Sequence, residues 1–395
     1  MHDIHGDSRA HCLCDCGHLA KNAPDCDRSI NNFPHGDTNG HLGFDVASSR
    51  IQGRRAVTVD PFRVVGLDSS SLIDSALEPK EIKREGPLAD WQNLWSLSAR
   101  VPFLAPHWYA AWNACYGGID FELLADNDTL VVLSRKTSNE RSTLFVGFPS
   151  GADYWVPIHE YSSIPSTEWT HFLAAEAERC DVFLHNVSSD ADFLKALRQI
   201  SDILVTDTER TSQVAYTIPF KRGTLLHSSA TRMQAGRDLR RLVRDGCSVS
   251  LFVEGSDSVH RIAEMVELHT KRWETKGLPG KFSDSKRVCF VERLMRTHPT
   301  ARLSVLEYQG KMLAFRFGFQ GADTFYSWLS GFDPEFSSRG PGSALLLAEI
   351  LEVLQRGDTY DFMRGDESYK THYANRWSEV VTARVLPFSS RARTQ

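Results

Sequence analysis

Three strand-like runs in close succession constrain this chain more than any other feature. Arg302-Leu-Ser-Val-Leu-Glu-Tyr308, Met312 to Phe319 and Phe325 to Leu329 are rich in apolar, β-branched and aromatic residues, and they are separated by Gln309-Gly310 and Gly321-Ala-Asp323. Short runs joined by residues that tolerate positive φ pair most readily with their immediate neighbours. They predict a three-strand antiparallel meander.

The flanks of the meander extend the pattern. Upstream, Leu239, Leu242 and Val243 make one apolar stripe among Arg232, Arg237, Arg240, Arg241 and Arg244, and Gly246 closes the helix. Ser248 to Glu254 alternates as a strand. Ser256-Asp257 then caps a helix whose Ile262, Met265, Val266, His269 and Trp273 share a face, ending near Gly277, and a further helix spans about 285–297. Downstream come a loop with Asp333-Pro334, the run Arg339-Gly-Pro-Gly342, a helix to Arg356 ended by Gly357, a strand Tyr360-Asp-Phe-Met363, a short helix near Tyr369-Lys370 and a final strand at about 378–386.

The first half is less explicit. At 395 residues the chain is long enough for two cores. Residues 1–85 lack sustained apolar periodicity and are rich in Gly, Asp, Ser, Asn and His, which predicts a mostly disordered tail. Folded structure is expected from Trp91: a helix carrying Trp108, Trp112 and Cys115, a hairpin of 121–125 with 130–133, a strand from Thr143 to Phe148, helices at 167–180 and 190–200, and a strand through Val182-Phe183-Leu184. The division expected is a tail (1–85), an N-terminal α/β lobe (86–218) and a C-terminal lobe (219–395). Both lobes can be versions of one α/β unit.

Composition excludes several classes. The formal charge of −5 gives no general attraction to nucleic acid or anionic membrane, so anion binding must be local. No window approaches the length of a membrane span, and the N-terminus has polar and charged residues where a signal peptide would be apolar, which leads to the expectation of a cytoplasmic enzyme. Of the 8 cysteines, Cys115, Cys180, Cys247 and Cys289 stand in apolar contexts and read as reduced core thiols. Cys12, Cys14, Cys16 and Cys26 lie in the tail, but the CxCxC spacing differs from the CxxC pairs of zinc knuckles, and no metal is expected. Ser-His-Asp triads, Walker A, GxGxxG and HExxH patterns are absent from the sequence.

Two constellations carry candidate chemistry. Gly340 and Gly342 stand between a strand and a helix, where backbone amides at a positive helix end suit phosphate oxygens; Arg339 adds a charged donor and Ser343 follows in the first turn. The run Arg364-Gly-Asp366-Glu367-Ser-Tyr369-Lys370 gathers carboxylates, a phenol and an amine at a strand end, where ligands of open α/β sheets bind. Acyl transfer from a thioester needs a base, an oxyanion donor and an acid for the thiolate, and these side chains cover the roles. A structural ion pair of Arg364 with Asp366 or Glu367 is the competing reading. Trp273 can line a substrate pocket or belong to the core, Asp333 lies at the mouth of the meander, and His269 reads as a satisfied core histidine. The basic helix face is either solvated surface or an anion contact.

Arg240-Arg241-Leu-Val-Arg-Asp-Gly246, Leu268-His269-Thr-Lys-Arg272-Trp273, Gly331-Phe-Asp333, Gly340-Pro-Gly342 and Asp361-Phe-Met-Arg364-Gly-Asp-Glu-x-Tyr369-Lys370 together resemble the CelD-like acetyltransferases, a branch of the GNAT (acyl-CoA N-acyltransferase) superfamily distantly similar to Fem-type peptidyltransferases. The resemblance covers about 230–375, with Phe103 to Trp112 similar to the family's N-terminal opening. It implies an α/β fold of two GNAT-like lobes, mixed central sheets flanked by helices, with acetyl-CoA as co-substrate. It implies that Gly340 and Gly342 mark the donor loop and that Asp366, Glu367, Tyr369 and Lys370 belong to the active cleft; with these, Arg339 and Ser343 are expected to bind the donor, Asp366, Glu367, Tyr369 and Lys370 to be catalytic, and Trp273, Asp333 and Arg364 to contact the substrate. The acceptor expected is an amine or hydroxyl, with a sugar or polysaccharide precursor the candidate that the family's association with cellulose suggests. GNAT donor loops often carry a basic or amide residue where Ser337 stands here. The rival readings are aminoacyl transfer from a charged tRNA, which the basic helix would serve and the net charge opposes, and a non-catalytic scaffold in envelope or polysaccharide assembly.

Overall fold

The meander forms as the sequence dictates and sits inside a much larger sheet. The computed structural model describes residues 88–387 apart from 118–119, 126–128, 139–140, 148–153, 155–156, 160–167 and 216–228. The expectations for the N-terminal tail and its cysteines fall outside the described residues. Helices α1 (Leu88–Leu97) and α2 (Pro106–Cys115) precede strands β1 (Asp120–Ala125), β2 (Thr129–Ser138), β3 (Arg141–Val146) and β4 (Ile158–His159). They are followed by α3 (Glu168–Ala177), β5 (Asp181–Ser188), α4 (Asp192–Ile200) and β6 (Asp202–Val214). The second half continues with α5 (Ala230–Arg244), β7 (Ser248–Glu254), α6 (Gly255–Ser258), α7 (Ile262–Glu274) and α8 (Ser285–Thr297). Then come β8 (Ala301–Tyr308), β9 (Lys311–Gln320), β10 (Thr324–Phe332), α9 (Pro341–Arg356), β11 (Thr359–Arg364), α10 (Ser368–Thr371) and β12 (Arg376–Leu386).

The two halves repeat one topology. Strands β1, β2 and β3 are an antiparallel meander, and β5 follows α3 to lie parallel to β3; likewise β8, β9 and β10 form a meander, and β11 follows α9 to lie parallel to β10. The final strand of each half then crosses to the other. β12 runs antiparallel between β5 and β6, while β6 runs antiparallel between β12 and β11. The result is one continuous 12-stranded sheet in the order β1-β2-β3-β5-β12-β6-β11-β10-β9-β8-β7, with β4 paired to β2. All the described residues belong to one compact unit, Val65–Gln395.

Strand β6 was not foreseen. Most of its side chains from Val205 to Arg210 are exposed, so it lacks the apolar alternation that marks a half-buried strand, and its backbone pairing with β12 and β11 alone makes it a strand. The helix expected from Ser256 begins instead as the single turn α6 and a 3₁₀ turn, with α7 proper starting at Ile262.

Aromatic packing fixes the first half on the second. Trp108 meets Phe290, Phe319 and Trp328 edge-on, with centroids 5.1, 5.8 and 5.1 Å away. The same α2–α8 contact corrects one sequence expectation: Cys115 and Cys289 are not reduced thiols but a disulfide, because close helix packing brings their Cα atoms to 6.0 Å. Cys180 and Cys247 are free. Among the described residues no helix is long and apolar enough to cross a membrane, and no cluster of His, Cys, Asp and Glu is arranged to hold a metal ion.

Candidate active site

The parallel strands β10 and β11 pair only over Thr324–Tyr326 and Thr359–Asp361, then separate. Irregularities on both outer sides drive them apart. β10 carries a register shift between Ser327 and Leu329 against β9, and β11 one between Asp361 and Arg364 against β6. At the second, Met363 takes φ 64°, a conformation costly for a non-glycine residue. The wholly buried Asp361 holds it there: its carboxylate accepts from the Met363 N–H at 2.6 Å, Tyr154 Oη at 2.9 Å and Gln213 Nε2 at 2.7 Å. The opening thus faces the carboxyl ends of two parallel strands, where ligands of α/β sheets enter.

The donor-loop candidates border this opening. Asp333 is buried rather than presented to a ligand; its carboxylate caps the following 3₁₀ turn through the Glu335 N–H at 3.1 Å and lies 2.9 Å from Lys311 Nζ. Burial works against its charge, and those two partners outweigh it, holding the carboxyl below its ordinary value. Gly340 adopts φ 65° as the residue before α9, and Gly342 and the exposed Ser343 lie in the first helical turn. The bare flanks of both glycines are filled by protein. A Cβ on Gly340 would come 2.6 Å from Asp238 Oδ2, and one on Gly342 would come 2.9 Å from the Phe332 ring. Arg339 is ion-paired with Asp245.

On the opposite wall, the Arg364–Lys370 run divides between scaffold and surface. Lys370 is buried, and its ammonium donates to the Met363, Arg364 and Gly365 carbonyls at 3.3, 2.5 and 3.3 Å while lying 2.9 Å from Glu367. It gathers the end of β11. Arg364 reaches Glu209 on β6 at 2.6 Å, a different carboxylate from the Asp366 or Glu367 considered from sequence. Asp366 and Glu367 are exposed; Tyr369 is half-buried with its ring edge-on to Phe362, centroids 6.2 Å apart.

The residue that joins the two walls is Arg272, on the last turn of α7. Its guanidinium lies 4.4 Å over the Phe332 ring, the same ring that fills the flank of Gly342. Burial lowers its pKa, and Tyr369 and Glu367 are the groups that act in the opposite direction. No carboxylate of the described residues pairs with it. A partly buried arginine with no ion pair among the described residues, stacked on Phe332 beside the start of α9, is suited to hold an anion or a developing oxyanion. Next to it, Trp273 donates from Nε1 to His269 Nε2 at 3.0 Å, so the protonated nitrogen is Nδ1, buried and without a hydrogen-bond partner. Burial first, then the cations Lys281 and Arg272, push His269 down to about 4, so it is a neutral ring at physiological pH.

Residues 229–371 match the family model of the acetyltransferase (GNAT) domain. This stretch begins at the cap of α5 and ends with α10, so the matched residues include both walls of the opening and Arg272. Among solved structures, the chain is similar to a conserved protein of unknown function from Bacteroides thetaiotaomicron VPI-5482, at 13% identity and a TM-score of 0.51, over 77% of this chain and 99% of that one. It is also similar to FemX, at 12% identity and a TM-score of 0.50, over 70% of this chain and 90% of that one. At these identities the likeness is one of fold. No curated protein matches the sequence.

One feature of the matched stretch was missed from sequence. Arg316 of β9 is buried beneath the opening, where its Nε donates to Glu349 Oε2 at 2.8 Å and Tyr360 Oη at 3.0 Å, and Nη2 donates to Ser327 Oγ at 2.7 Å. Tyr360 in turn donates to Glu349 at 2.8 Å. Burial opposes the Arg316 charge, but Tyr360 and Glu349 outweigh it and raise its pKa. A lone arginine within the apolar run Lys311–Gln320 was the available signal.

Proposed function

We propose that the protein transfers an acyl group, acetyl in the simplest case, from a CoA thioester to an amine or hydroxyl acceptor at the β10/β11 opening. The observation that carries this reading is the coincidence of the acetyltransferase-domain match with the splayed strand pair, whose two walls meet at Arg272. The donor enters past Gly340, Gly342 and Ser343 with its thioester at the mouth of the opening. Asp366 removes the acceptor proton, since Glu367 is already engaged by Lys370. Arg272 stabilises the carbonyl oxygen as it gains charge, and Tyr369 supplies a proton to the departing thiolate. Trp273 and the neighbouring Arg272 shape the acceptor side. Resemblance of the Leu268–Trp273 and Asp361–Lys370 motifs to the CelD-like branch favours a sugar or polysaccharide precursor as acceptor.

The test is calorimetric titration of the full chain with acetyl-CoA, followed by thiol release over a panel of amino sugars, sugars and amines. Gly342→Trp would displace the Phe332 ring, so the blocking variant is Ser343→Trp at an exposed position. Saturable binding that Ser343→Trp removes is expected. A folded parent with no affinity for acetyl-CoA ends the proposal, and full turnover by both Asp366→Ala and Glu367→Ala ends the carboxylate-base assignment.

A further inference from the structure

The basic face of α5 has no role in the chemistry above, yet it is built against the donor loop. Gln234, Arg237, Asp238, Arg240, Arg241 and Arg244 line an open concavity of about 380 Å³. Their three- and four-residue spacing puts them on adjoining rows of one helix side. The loop into α9 is fastened to this side at two points: Asp238 lies against Gly340, and Asp245, just past Arg244, pairs with Arg339. Five guanidinium groups, those of Arg237, Arg240, Arg241, Arg244 and Arg339, therefore face only two carboxylates, those of Asp238 and Asp245. The excess is local, since the whole chain carries a formal charge of −5.

The internal bonds leave much of this donor capacity unused. Asp238 accepts from Arg241 at 3.1 Å and from Gln234 at 2.9 Å, which neutralises the carboxylate nearest the loop. Arg237 is held by Gln234 Oε1 at 3.1 and 2.6 Å, contacts that orient the fork without cancelling its charge. Arg244 is 3.9 Å from Asp245, and the exposed Arg240 has no ion pair among the described residues. Planar, oriented guanidinium groups beside a helix start suit phosphate oxygens.

We propose that this face binds the phosphates of the acyl donor: the diphosphate and 3′-phosphate of a CoA thioester rest on Arg237, Arg240, Arg241 and Arg244 beside the first turn of α9. The proposal rests on the acyl-CoA reading above. It accounts for a donor loop whose glycine flanks are filled by Asp238 and Phe332: arginines from α5 provide the charge from outside the loop.

The test compares the full chain with Arg237→Ala/Arg240→Ala/Arg244→Ala, three exposed positions, by calorimetry with acetyl-CoA and with a phosphate-free pantetheine thioester. Thermal melting confirms that the variant folds. The variant is expected to lose about thirtyfold in acetyl-CoA affinity and part of its salt dependence, and to bind the pantetheine thioester as the parent does. Equal acetyl-CoA affinity in parent and variant overturns the arginine assignment and leaves the acyl-CoA reading intact. A folded parent that ignores acetyl-CoA overturns both. Tight arginine-dependent binding of single-stranded RNA that acetyl-CoA cannot displace overturns the donor assignment in favour of a polynucleotide.

Discussion

The guanidinium of Arg272 lies 4.4 Å over the ring of Phe332, and that ring occupies the space a side chain at position 342 would need. The start of α9, the end of β10 and the end of α7 are thereby locked in one arrangement. Arg272→Lys keeps a charge but loses the planar fork and its stacking. Its kcat/KM for acetyl-CoA with a working acceptor is expected to fall about a hundredfold, the scale of losing one oxyanion donor, while the melting temperature stays close to the parent's. Parental turnover by a folded Arg272→Lys protein would remove Arg272 from the chemistry.

The Arg316–Glu349 pair is buried at both ends, with a separation of 2.8 Å. Removing one partner strands the other charge in the core. Arg316→Leu or Glu349→Leu alone is expected to cost about 3–5 kcal/mol in urea unfolding, and the double variant much less than the sum. Additive losses would show that the two do not act as a pair.

His298 is enclosed by Trp95, Phe319 and His107, with Nε2 at 3.2 Å from the Pro102 carbonyl and Nδ1 accepting the Thr300 N–H at 3.3 Å. Burial first, then His107, push its pKa from 6.5 down to about 3. The neutral form is the one folded into place, so its contribution is fully present above the unfolded value near 6.5 and is lost progressively as pH falls from there toward the folded value. His107, His185 and His269, each pushed down to about 4 chiefly by burial, act in the same direction. Melting temperatures are expected to drop from pH 7 to pH 4.5, with a shallower slope in His298→Gln. A flat profile across that range would contradict buried neutral histidines.

The Cys115–Cys289 disulfide closes a sequence separation of 174 residues between α2 and α8. Cys289→Ser is expected to lower stability by about 2–4 kcal/mol. Non-reducing peptide mapping should recover the two cysteines in one linked fragment. Because disulfides persist in oxidising compartments, mapping protein taken directly from cells also tests the cytoplasmic location expected from the sequence.

Local signals were strong where an element buries one face or turns sharply. The Lys311–Gln320 run, the Gly310 turn and the Gly357 stop each state their own conformation, and the helices around 285–297 and 341–356 follow from periodicity. Signals failed where an element is defined by a distant partner. Strand β6 exposes most of its side chains from Leu204 to Arg210, Arg316 finds Glu349 and Tyr360 from two other elements, and Cys115 meets Cys289 only through helix packing.

By itself, then, the sequence determined the order of helices and strands, the meander, and the two runs that border the opening, because these follow from backbone sterics and from periodic burial within short windows. Only the tertiary structure decided that β6 and β12 exchange halves, that Lys370 gathers the end of β11 and that Arg272 stands between the two walls. Those outcomes depend on which unpaired strand edges and unpaired charges meet across long stretches of chain, and such pairings leave no periodic mark in the residues that make them.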